Sequence, residues 1–65
     1  MDNIQMPNVL TAIKIGQLKV EIFAFRRLSR DECQLAIKMH MRQCKLKQLP
    51  KSGKIKIIST FGSDL

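Results

Sequence analysis

Between Glu32 and Asp64 the chain contains no acidic residue. Seven cations fall inside that gap: Lys38, Arg42, Lys45, Lys47, Lys51, Lys54 and Lys56. Nothing nearby in sequence neutralises them, so such a block requires either water or a polyanion around it. Apolar stretches are short as well. No run approaches the roughly 20 residues that span a bilayer, which excludes a membrane helix. The N-terminus has no basic segment followed by an apolar one, so it does not read as a signal peptide.

Cysteine is also sparse. Cys33 and Cys44 are the only two, and on one helix they would stand roughly 16 Å apart along its axis. A disulfide needs Cα atoms within about 7 Å, so an internal bridge is excluded and two free thiols suit a cytoplasmic address. Signals for catalysis are missing too. Gly16 and Gly53 do not build a phosphate loop, and the five acids include no spaced pair suited to acid–base work. His40 and Cys44 stand four apart, a spacing that lets two ligands reach one ion. Zinc needs four, and Cys33 is too distant to join them. No metal, cofactor or enzymatic activity is expected.

What is present is a basic, apolar-rich chain. Sixty-five residues carry a formal charge of +7, with 45% hydrophobic residues. That apolar fraction argues against disorder, and the length allows one domain. The basic balance lies where nucleic-acid binders often sit.

Residues 1–8, with Pro7, read as a loose arm, 9–61 as a single domain and 62–65 as a C-terminal tail. From Val9 to Phe25 the pattern is a hairpin. Gly16-Gln17 can form a two-residue turn with Gly where φ is positive. That turn pairs Ile15 with Leu18, Ile13 with Val20, Thr11 with Ile22 and Val9 with Ala24, a face apolar except at Thr11. Alternation selects the same register independently. The opposite face pairs Lys14 with Lys19, Ala12 with Glu21 and Leu10 with Phe23.

Ser29-Arg30-Asp31-Glu32 fits a capping box, with Leu28 and Cys33 placed for a hydrophobic staple. Pro50 and Gly53 stop the helix, which is expected over 30–47. Its apolar arc is wider than one sheet contact requires. Lys54 to Phe61 alternates again as a third strand. The fold expected is α+β, ββαβ: a three-stranded sheet with one helix packed on one face. The third strand is expected parallel to the second and beyond the first.

The cations are expected to gather into one continuous patch, with Lys54 and Lys56 on the sheet face away from the helix if Ile55 and Ile57 point inward. Lys38, Arg42, Lys45, Lys47 and Lys51 would neutralise phosphates of DNA or RNA, extended by Arg26 and Arg27. Phe23-Ala24-Phe25 followed by Arg26-Arg27 resembles part of the aromatic strand motif of RNA-recognition motif domains, over three or four residues. The chain departs from that motif, with Glu21-Ile22 where Lys/Arg-Gly should precede, and without the family's second helix and fourth strand. The alternative for these aromatics is an interface. Leu10, Phe23, Phe25 and Ile58 would form a self-association surface, giving a homodimer, would lie beneath the N-terminal arm, or would dock an acidic protein partner.

Overall fold

A computed structural model describes residues 6–63. Residues 1–5 of the expected arm and 64–65 of the expected tail lie outside the described residues. The elements follow in the order β1 (Val9–Ile15), β2 (Gln17–Ala24), α1 (Arg30–Gln43) and β3 (Ser52–Ile58). They build a three-stranded mixed sheet with the helix on one face, an α+β fold of ββαβ order.

The hairpin register runs from Val9↔Ala24 to Ile15↔Leu18, as the alternation and the turn jointly require. Gly16 takes φ +61, the left-handed region demanded of the first residue in a Gly-X hairpin turn. β3 lies beside β2, parallel to it, from Gln17↔Ser52 to Phe23↔Ile58. It does not lie beyond β1, as expected from sequence; the sheet order is β1-β2-β3.

Two physical reasons favour the observed order. On its helix-facing side β2 carries only Leu18, Val20, Ile22 and Ala24, all at most 1% exposed, so the central position covers the most apolar strand. On the other side the same order brings Lys54 to Glu21. Beyond β1, Lys54 and Lys56 would instead approach Lys14.

Ile57 of β3 joins Leu28, Cys33, Ala36 and Ile37 over the β2 residues to complete the core. Burying a Val, Leu or Ile side chain contributes about 1.5–3 kcal/mol, so this short list supplies most of what holds so small a domain together. Thr11, the polar exception on the hairpin's inner face, accepts a hydrogen bond from the Leu28 backbone N–H at 3.2 Å. It thereby ties the segment entering the helix to β1.

At the helix start the capping box is formed: Ser29 Oγ accepts from Glu32 N at 3.3 Å, and Glu32 Oε1 accepts from Ser29 N at 3.0 Å. The helix stops four residues earlier than the expected 30–47. Lys45 adopts φ 55, Lys45 N donates to Arg42 O at 3.1 Å, and Leu46 N donates to Met41 O at 2.8 Å. These two bonds constitute a Schellman closure, normally built around Gly. A lysine in the left-handed position leaves no sequence signal for that ending.

Candidate functional site

The cationic surface is assembled from the end of α1 and the loop after it. Lys38 and Arg42 are one turn apart on the solvent side of the helix, opposite the buried Cys33, Ala36 and Ile37. The Schellman turn then projects Lys45 away from the helix, and Lys47 and Lys51 follow in the loop to β3. All five are exposed. Among the described residues none has a carboxylate within 4.0 Å.

Arg26 and Arg27 sit elsewhere. They precede the N-terminus of α1, separated from Lys45 by the helix itself, roughly 20 Å. Arg26 is committed to Glu32 through a two-pronged pair in which Nη1 donates to Oε1 at 2.8 Å and Nη2 meets Oε2. The hydrogen bond from Arg26, followed by that from the Ser29 backbone, holds the Glu32 carboxyl down at about 2. The same hydrogen bond raises the Arg26 guanidinium above its ordinary value. Gly62 at φ +80 lies against the Arg26 side chain, where an added Cβ would come within 2.6 Å of Cγ. Arg27 is exposed and meets no described carboxylate.

The seven-cation block is divided rather than gathered into one patch. Alternation along β3 turns Ile55 and Ile57 toward the helix, so Lys54 and Lys56 emerge on the bare face of the sheet, away from Lys38 and Arg42. There the register arranges three cross-strand rows: Lys14–Lys19–Lys54, Ala12–Glu21–Lys56 and Leu10–Phe23–Ile58. Glu21 is the acid at the centre, only 8% exposed. Its Oε1 lies 3.3 Å from Lys54 Nζ and its Oε2 3.9 Å from Lys19 Nζ. This second cationic group was legible only in halves, because Lys14–Lys19 belongs to the hairpin and Lys54 to a strand expected beyond β1 and found beside β2.

The expected interface residues are brought together in part. Leu10, Phe23 and Ile58 share one row, with Ile58 70% exposed. Phe25 lies beyond the end of β2, where its N–H donates to Phe61 O at 3.2 Å. The two aromatics therefore do not alternate on one strand, and each is half-buried.

His40 and Cys44 come close, with Cys44 Sγ 3.7 Å from Nε2. Among the described residues no third His, Cys, Asp or Glu joins them to hold a metal. A shallow recess of about 60 Å³ lies alongside, between the second half of α1 and the end of β3, lined by Met39, His40, Ile58 and Thr60 among others. It is too small for a drug-sized ligand, whose sites run to about 300 Å³ or more. Burial raises the Cys33 thiol, with a smaller push from Glu32, so Cys33 is an apolar core residue. No described helix is long and apolar enough to cross a membrane. No protein family, curated protein or solved structure matches the chain.

Proposed function

We propose that this is a small non-enzymatic protein that binds nucleic acid through the phosphate backbone, using Lys38, Arg42, Lys45, Lys47 and Lys51. The supporting observation is that these five exposed cations follow one another along the end of α1 and its loop without a described carboxylate to neutralise them. A merely solvated face usually mixes both signs. Arg27 adds charge at the far end of the helix, while Arg26 is largely spent on Glu32. The site addresses phosphates and not bases, so DNA and RNA of any sequence bind alike. The acting unit is a homodimer in the cytoplasm, where both thiols remain reduced.

Five phosphate contacts on a duplex imply a log–log salt slope of about −4 to −5. Titration of duplex DNA, single-stranded DNA and RNA of unrelated sequences at two salt concentrations tests this. Binding to each, weakened steeply at the higher salt, is the expected outcome; no binding even at low salt overturns it.

One observation favours a second reading, in which the bare face of the sheet docks an acidic protein partner. The Leu10–Phe23–Ile58 row is a largely exposed apolar strip with Lys56 in the adjoining row, the composition expected of a protein-binding face. In that case Phe23→Glu abolishes the association and leaves polyanion binding intact.

A further inference from the structure

β1 is an outer strand, and no described strand pairs with its free side. The hairpin register fixes which backbone groups point there. A two-residue loop closes on a hydrogen-bonded pair, here Ile15↔Leu18, and such pairs recur at every second residue. Ile13, Thr11 and Val9 therefore bond inward to β2. Leu10, Ala12 and Lys14 direct their N–H and C=O groups outward. Edge strands are ordinarily protected by charge, Pro or a bulge. β1 has an unbroken register, no Pro and one charge, Lys14. The opposite edge, β3, carries Lys54 and Lys56 and contains Gly53 at φ +113.

We propose that a second copy of this chain adds its own β1 to this edge, antiparallel, about a two-fold axis at Ala12. The proposal has only the dimer in common with the nucleic-acid reading, and stands or falls independently of polyanion binding. The self-complementary register of β1 selects the occupant, and charge selects the edge. Each copy carries +7, so two copies must meet where cations are sparsest. From Val9 to Leu18 the sole cation is Lys14, whereas β3 and the outer side of α1 are crowded with them.

The register follows from the same facts. Outward-pointing residues must oppose outward-pointing residues. An axis at Ala12 sets Ala12 against Ala12 and Leu10 against the partner's Lys14, so all three outward residues of each copy are bonded. An axis at Lys14 would set the two ammonium groups directly opposite each other, which is destabilising. An axis one residue to either side leaves one outward residue without a counterpart. At Ala12 the inner face also closes. Val9 meets the partner's Ile15, and Thr11 meets the partner's Ile13. Ile15, 42% exposed in the single chain, is thereby covered. The product is a continuous six-stranded sheet with both helices on one side.

Ala12→Pro provides the test. The Ala12 N–H bonds nothing within the hairpin, so proline there spares the β1–β2 ladder while removing a donor from the edge. Light scattering is expected to give a dimer mass for the wild type and a monomer mass for Ala12→Pro with an unchanged circular dichroism spectrum. A monomeric wild type, or a folded Ala12→Pro that remains dimeric, overturns the proposal. Should Ala12→Pro fail to fold, crosslinking decides. In a Cys44→Ser background, Ala12→Cys places two thiols across the axis at a Cα separation of about 5.5 Å, within disulfide reach. Mild oxidation is expected to yield a covalent dimer with Ala12→Cys and none with Lys14→Cys. Equal crosslinking at both positions, or none at position 12, contradicts the register.

Discussion

Glu21 lies with its carboxylate 3.3 Å from the Lys54 ammonium, across the boundary between β2 and β3 on the face the helix leaves bare. The pair joins residues far apart in sequence, and it places the one acid of the sheet among Lys14, Lys19, Lys54 and Lys56. Glu21→Gln removes that acid while keeping the side chain's shape. It is expected to leave polyanion binding nearly unchanged, because Lys19 and Lys54 lie on the face opposite α1 and its loop, and to change stability by less than about 1 kcal/mol, since both lysines are half-exposed. A binding titration and a thermal melt check the two effects. A marked rise in affinity would instead place Lys19 and Lys54 in the binding surface.

The Arg26–Glu32 pair, with the helix cap second, gives a pH signature. The Glu32 carboxyl is held at about 2 against an ordinary 4.5. A depressed carboxylate stabilises the fold fully above its unfolded value, and that contribution fades as pH falls from about 4.5 toward 2. Denaturant midpoints measured from pH 6 to pH 2 are expected to drop through that window in the wild type and to drop less in Glu32→Gln. Ser29→Ala, which removes the other half of the box, is expected to cost about 0.5–2 kcal/mol at neutral pH.

Stability and binding should move in opposite directions at Lys45. Its φ of 55 suits Gly, so Lys45→Gly is expected to raise stability by about 0.5–1 kcal/mol after allowing for the looser unfolded chain. The same substitution removes a cation and should weaken nucleic-acid binding. Equilibrium unfolding and titration of one variant read both signs.

Much of this fold is legible in the sequence, and the exceptions have physical causes. The hairpin register could be read residue by residue because Gly16-Gln17 and the alternation specify it independently. The capping box could be read because its donors and acceptors lie within four residues. The end of α1 could not, since Lys45 closes it without glycine. Strand order was hidden for another reason: local pattern says nothing about which neighbour β3 chooses. That choice depends on Glu21 and Lys54 and on covering β2. The candidate site was accordingly half visible. The run from Lys38 to Lys51 is contiguous in sequence and remains so on the surface, and the alternation of Ile55 and Ile57 puts Lys54 and Lys56 on the other face, whereas their nearness to Lys19 and Glu21 follows from strand placement.

Phe23 separates the two surfaces experimentally. Phe23→Glu places a carboxylate in the Leu10–Phe23–Ile58 row without touching the helix or its loop. Titrations are expected to show nearly unchanged nucleic-acid affinity, and a large drop would move the binding site to the bare sheet face.

The most direct measurement is the salt dependence of binding to a random-sequence duplex for the wild type and for Arg42→Gln/Lys47→Gln. Every phosphate that is no longer neutralised should reduce the log–log slope by about 0.9, so the double variant is expected to show a slope shallower by about 2. An unaltered slope would contradict phosphate neutralisation by the end of α1 and its loop.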